Sequence, residues 1–123
     1  MAKDDVLKVS IVISRCSREK RCFGIRFEQT RHDIWGATWA FPIKESAAKK
    51  EGYNKTELKG GFELKEGAYP GCPHCGAYSI FQCGKCGKTS CWDAESRTVT
   101  CPWCSNEILI EGYIEKLGAS SDG

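Results

Sequence analysis

The sequence predicts a mainly β, small α+β fold: an N-terminal antiparallel β-sheet with one short helix, followed by a cysteine-rich zinc-ribbon module. Three observations predict it. Apolar residues alternate with polar ones through the N-terminal third. Good helix formers run together over residues 43–50. Seven of the nine cysteines fall between positions 72 and 104, six of them as three Cys-x-x-Cys pairs.

The first strand is expected over residues 6–14, where Leu7, Val9, Ile11 and Ile13 share one face and Lys8, Ser10 and Ser14 the other. After a basic turn through Arg15, Arg18, Lys20 and Arg21, residues 22–29 place Phe23, Ile25 and Phe27 inward and Arg26 and Glu28 outward. A polar turn, Thr30-Arg31-His32-Asp33, leads to residues 34–41, where Trp35, Ala37, Trp39 and Phe41 fall on one face. Three antiparallel strands with an aromatic core face follow. Pro42 before residues 43–50 and Gly52 after them are placed where a short helix starts and stops. Residues 56–64 read as a further strand or loose hairpin interrupted at Gly60-Gly61, and 67–71 as a connector. The expected organisation is a β-rich part over residues 1–69, which can pack with the rest as one domain, a metal module over 70–117, and a frayed tail over 118–123.

Composition narrows the chemistry. With 41% hydrophobic and 28% charged residues the 123-residue chain is ordinary for a folded globular protein. Nothing approaches the roughly 18 apolar residues of a membrane span, and the start Met1-Ala2-Lys3-Asp4-Asp5 is unlike a signal peptide, so a cytoplasmic protein without a membrane role is expected. In a reducing compartment this cysteine density argues for metal ligation in place of disulfides. Residues 1–71 carry 14 Lys and Arg against 10 Asp and Glu, and residues 72–123 carry 4 against 6. Four thiolates around one Zn²⁺ add a net −2, so the metal module suits nucleic acid poorly.

The ligand pattern is specific. In a zinc knuckle both sulfurs of Cys-x-x-Cys reach one ion while backbone N–H groups of the turn point at them; Pro after the first Cys and Gly after the second suit that turn. Cys72-Pro73-His74-Cys75-Gly76, Cys83-Gly84-Lys85-Cys86-Gly87 and Cys101-Pro102-Trp103-Cys104 all have this form. Seven local cysteines, with Cys91 the unpaired one, do not divide into two four-ligand sites. The preferred partition joins Cys83, Cys86, Cys101 and Cys104, with strands at 89–92 and 97–100 between those knuckles as in an ordinary ribbon, and gives Cys72, Cys75, Cys91 and one further ligand to a second Zn²⁺. The alternatives are Cys72, Cys75, Cys83 and Cys86 on one ion with Cys91, Cys101 and Cys104 one ligand short, or a single four-cysteine site. For the missing ligand the chain offers His74, His32, Cys22, Cys16 or water. Each residue also has a simpler reading: exposed turn histidines for His74 and His32, free structural thiols for Cys22 and Cys16, and these simpler readings are preferred.

Catalytic patterns are missing: no H-E-x-x-H, no H-x-E followed by P-C-x-x-C, no phosphate loop and no G-x-S-x-G. Asp93 and Glu95 between knuckles read as a solvated turn, and no enzymatic activity is expected. The rival reading is a nucleic-acid-binding ribbon, resting on Arg15, Arg18, Lys20, Arg21, Arg26 and Arg31. A net charge of +2 makes it the weaker one. Trp92 and Trp103 beside the ligands are either partner contacts or packing residues.

The string Gly71-Cys72-Pro73-His74-Cys75-Gly76, then Phe81 with Cys83 and Cys86-Gly87-Lys88, then Cys91, and finally Val99-Thr100-Cys101-Pro102-Trp103-Cys104 resembles the TerY C-terminal metal-binding domain over about residues 70–104. The resemblance implies a structural zinc-binding adaptor linked to von Willebrand factor A-type domains of bacterial tellurite-resistance and chemical-stress systems. Its implied protein partners are such a domain, a PP2C-type phosphatase and a kinase-like protein. The chain departs from the pattern in two ways: it lacks the D-x-S-x-S motif of an A-type domain, and Ser105 stands where a knuckle glycine is common. An excised domain or a free-standing member acting in trans is expected.

Overall fold

In β1 (Lys8–Arg15), β2 (Cys22–Gln29) and β3 (Ile34–Pro42), β-branched and aromatic residues favour the pleated surface. The three pair antiparallel, from Lys8↔Gln29 to Arg15↔Cys22 and from Phe23↔Pro42 to Gln29↔Trp35. The structure is a computed structural model describing residues 8–29, 34–51, 56–110, 116–119 and 121–122. The β2–β3 register shifts between Arg26 and Phe27: Arg26 faces Trp39 and Phe27 faces Ala37, so Thr38 is left unopposed. One extra residue reverses side-chain orientation beyond it. Trp35 and Ala37 therefore enter the main core, whereas Trp39 is 53% exposed and Phe41 only half-buried. The expected common face of Trp35, Ala37, Trp39 and Phe41 is thus split. Phe41 lies over Gly24, where an added Cβ would come within 2.4 Å of the ring's Cζ.

The remaining elements are α1 (Glu45–Glu51), β4 (Thr56–Lys59), β5 (Gly61–Leu64), β6 (Ser79–Gln82), β7 (Thr89–Trp92), β8 (Thr98–Thr100), β9 (Glu107–Leu109), β10 (Lys116–Ala119) and β11 (Ser121–Asp122). The main sheet runs β5-β3-β2-β1-β7-β6, with β11 also on β1, and two small sheets are formed by β10 with β4 and by β8 with β9. Gly60, at φ 128°, breaks the stretch 56–64 into two strands that pair elsewhere, β4 with β10 and β5 parallel to β3. The helix begins at Glu45, slightly later than expected; its expected stop at Gly52 lies outside the described residues.

Two further differences from expectation share one cause: backbone groups along a strand edge need partners. The edge of β1 away from β2 takes β7 in parallel at Ser14↔Thr89 and Arg15↔Ser90, and takes β11 at Ser10↔Asp122 and Ile11↔Ser121. Within the frayed tail expected at 118–123, the described residues 118–119 and 121–122 are strand residues of β10 and β11. The hairpin expected between 89–92 and 97–100 is not made, because β7 is drawn into the main sheet and β8 pairs with β9. The main sheet draws strands from both sides of residues 69 and 70.

Lying centrally, β1 is covered on both faces. Val12, Phe23, Ile25, Phe27, Trp35 and Leu117 are among the residues of the larger cluster, on the face that also buries Ser10 and Ser14. Ile13 enters a second cluster with Cys22 and Ala48, against which Ile43 and Trp103 pack. The alternation expected of a half-buried strand is therefore overridden: Val12, on the nominally polar face, is core, and Leu7 lies outside the described residues. A hydrogen bond between the Ser14 and Thr89 hydroxyls satisfies two buried groups where β7 joins β1.

Candidate metal centre

Four chain reversals carry the site, and they are built alike. In each, the amide of the leading cysteine donates to the carbonyl five residues on, and the residue four on donates back to the cysteine carbonyl. These bonds are Cys72 N to Ala77 O (2.9 Å) with Gly76 N to Cys72 O (2.8 Å), Cys83 N to Lys88 O (2.9 Å) with Gly87 N to Cys83 O (2.8 Å), and Cys101 N to Asn106 O (2.9 Å) with Ser105 N to Cys101 O (2.9 Å). The fourth follows β1: Cys16 N donates to Arg21 O at 2.8 Å and Lys20 N to Cys16 O at 2.9 Å. The residue four on is left-handed in every case, with φ of 84° at Gly76, 78° at Gly87, 66° at Ser105 and 60° at Lys20. Cys16 thus heads a knuckle whose second cysteine position is occupied by Glu19.

That turn resolves the arithmetic of seven. The structure brings Cys16, Cys72, Cys75 and Cys91 together in one quartet and Cys83, Cys86, Cys101 and Cys104 in another, with the sulfurs of each within 4.8 Å of one another. The grouping follows the preferred partition, and Cys16 supplies the fourth sulfur, so its reading as a free structural thiol is corrected. Cys91, from β7, fills the place that Glu19 leaves open. His74 turns away: its Nε2 bonds the Cys22 carbonyl at 2.8 Å and its ring stands edge-on to Phe23 at 6.3 Å, which ties the Cys72–Cys75 knuckle to β2. Cys22 belongs to neither quartet; its thiol donates to Glu45 at 3.2 Å, and burial, then Glu45, pushes its pKa up to about 11. His32 lies outside the described residues.

The donor sets fit a tetrahedral thiophilic ion. With metal–sulfur bonds of about 2.3 Å, tetrahedral geometry separates sulfurs by about 3.8 Å. The observed separations are 3.5 Å for Cys75–Cys91, 3.8 Å for Cys16–Cys91, and 3.7 Å for both Cys83–Cys104 and Cys86–Cys101. These are far beyond the roughly 2.05 Å of a disulfide. Backbone amides converge on the sulfurs as knuckles require: Ser17 N on Cys91 and Glu19 N on Cys16 at 3.2 Å, Lys85 N on Cys83 at 3.3 Å, and His74 N on Cys72 and Trp103 N on Cys101 at 3.4 Å. Asn106 Nδ2 adds a bond to Cys104 at 3.3 Å.

Electrostatics point the same way. Hydrogen bonding from the Cys72 thiol, aided by Ser17 N, holds Cys91 down at about 5, and the backbone and side chain of Asn106 hold Cys104 at about 6. Burial pushes Cys75 up to about 11, Cys86 up to about 12, and Cys101 upward. Four crowded thiols cannot all ionise unaided, and a divalent cation removes that conflict.

The quartets differ in setting. Cys16, Cys72 and Cys91 are members of the larger core cluster, so the first joins the turn after β1, a knuckle and β7 across the sheet. The second is confined to residues 83–104 and has two half-buried members, Cys86 and Cys104. Trp103, between its last cysteines, is a packing residue: its indole donates to Thr89 O at 2.8 Å, with the Arg15 guanidinium 4.5 Å and the Lys88 ammonium 5.0 Å from the ring centroid.

The signal for Cys16 was weak because its turn lacks proline, glycine and a second cysteine; only the odd ligand count hinted at it. Lys20 and Ser105 occupy a backbone region that costs an L-residue about 1–2 kcal/mol. Ser105→Gly, with zinc bound, is expected to raise stability to chemical denaturation by about 0.5–1 kcal/mol, after allowance for the greater freedom of glycine in the unfolded chain.

No curated protein and no solved structure matches the chain. The TerY-C metal binding domain family matches residues 5–120, well beyond the cysteine-rich segment and including Cys16. With its knuckles carried by one β-rich fold, the chain belongs to the TerY-C metal binding domain family.

Proposed function

We propose that the chain binds two zinc ions, one in each cysteine quartet, and acts as a non-enzymatic adaptor for protein partners in the cytoplasm. The observation that carries this reading is the pair of four-sulfur sets at tetrahedral spacing. A zinc ion held by four cysteines keeps no position for substrate or activated water, which favours a structural role over hydrolysis. Among the described residues no helix is long and apolar enough to cross a membrane. The zinc ions contribute folding free energy, on the order of 10–16 kcal/mol per structural site.

The partners best supported are those the family resemblance implies: a von Willebrand A-type domain, a PP2C-type phosphatase and a kinase-like protein of a phosphorylation-linked, tellurite-resistance type stress response. Native mass spectrometry of the purified chain is expected to show two zinc ions; a single ion would overturn the pairing. Calorimetric titration with those three partners tests the adaptor role. Binding by the zinc-loaded chain that disappears after chelation is expected, and failure of all three to bind would sink it. Acidification is expected to release zinc as protons compete for the thiolates, first from the half-exposed second quartet, followed with a chromogenic zinc indicator.

A further inference from the structure

A cleft of about 500 Å³ opens beside the first quartet. It is lined by residues of the Cys16 turn, among them Arg18 and Lys20, by Cys75 and Cys91, and by Trp92 and the three residues of β8. Such a volume is within the range of specific binding sites.

The way β8 meets the cleft identifies what it can hold. Successive strand side chains point to opposite faces, so a cavity lined by Thr98, Val99 and Thr100 together meets the strand along its edge. Hydrogen-bond parity says which groups face it. Ile110 N donates to Arg97 O at 2.7 Å, and the register places Thr98 opposite Leu109, so Arg97–Ile110 and Val99–Ile108 are the hydrogen-bonded pairs. The N–H and C=O groups of Thr98 and Thr100 therefore point away from β9, and no described residue pairs with them. An open edge of this kind is a template for another strand.

Charge selects among extended segments. Arg18 is exposed, lines the same cleft and has no hydrogen-bond or ion-pair partner among the described residues. Lys20 beside it donates to Ser17 O at 2.9 Å. The one acidic wall residue, Asp93, is occupied within its own turn by Glu95 N at 2.8 Å, Ser96 N at 2.9 Å and Ser96 Oγ at 3.0 Å. Zinc-bound thiolates of Cys75 and Cys91 repel an anion that reaches them, so an acidic side chain belongs beside Arg18.

We propose that this cleft takes an extended acidic peptide segment of a protein partner, added as a third strand on the open edge of β8 with a carboxylate on Arg18. The inference rests on the adaptor reading and names where and how a partner docks. Recognition by strand addition draws affinity from main-chain bonds and specificity from neighbouring side chains.

The test is amide NMR of the zinc-loaded chain with a blocked peptide alternating valine and glutamate, against its lysine counterpart. The glutamate peptide is expected to shift the Thr98, Thr100 and Trp92 signals and to bind at least tenfold more tightly than the lysine one, with Arg18→Glu reversing the preference. Thr98→Pro removes an edge N–H while leaving the β9 ladder intact, and proline is tolerated on such an edge. It is expected to weaken binding about tenfold, whereas Thr98→Val leaves it unchanged. No shift at Thr98 and Thr100, or equal binding by the Pro and Val variants, overturns the proposal. Concentration-dependent pairing of the chain through this edge overturns it too, by assigning the edge to a second copy. A full partner that binds the Thr98→Pro chain at wild-type strength overturns this docking site alone and leaves the adaptor reading standing; that reading falls only if no partner binds the wild-type chain.

Discussion

Cys16→Ser is expected to cost one zinc ion and to abolish cooperative folding at ordinary temperature. Cys16 is fully buried in the larger core cluster, with its sulfur 3.8 Å from Cys91 and bonded by Glu19 N. Serine offers zinc a poor ligand and places a hydroxyl among apolar side chains, so metal and packing are lost together. Loss of a structural site removes about 10 kcal/mol or more, which exceeds the whole stability of most domains of this size. Cys22→Ser is the control: Cys22 is equally inaccessible, but its thiol contacts Glu45 and neither quartet. The Cys22→Ser chain is expected to retain both zinc ions in native mass spectra and a sharp thermal transition. Equal zinc loss in the two variants would contradict the assignment of Cys16.

Phe23→Ala is expected to destabilise the zinc-loaded protein by about 3–5 kcal/mol, the range for truncating a buried aromatic ring. Phe23 is fully buried on β2, and its ring meets His74 between Cys72 and Cys75. The truncation therefore loosens the joint between sheet and first quartet as well as opening a cavity. Urea unfolding with zinc in excess measures it, and a loss below about 1 kcal/mol would mean that the site is supported independently of this core face.

Both effects depend on features that the sequence displays unequally. The meander of β1, β2 and β3 is legible because its apolar residues alternate over lengths typical of strands, and the three knuckles because proline and glycine mark their turns. The fourth knuckle is hidden: Lys20 takes the left-handed position without being glycine, Glu19 stands where a second cysteine would, and the completing sulfur comes from Cys91 in another strand. Its recognition needs the parallel pairing of β7 with β1, a contact between residues more than seventy positions apart that no local pattern announces. The same long-range pairing explains why the ribbon hairpin is absent. Trp39 is misread for a local reason, the single unopposed residue Thr38, which reverses the faces beyond it.

The central claim is that both centres are closed, all-sulfur zinc sites, with Cys16 completing the first. Zinc-edge X-ray absorption on the purified protein tests it most directly. Four sulfur neighbours per zinc at about 2.3 Å, with no lighter atom in the shell, is the predicted result. A nitrogen or oxygen neighbour at about 2.0–2.1 Å would contradict it, because one site would then be completed by histidine or water in place of Cys16.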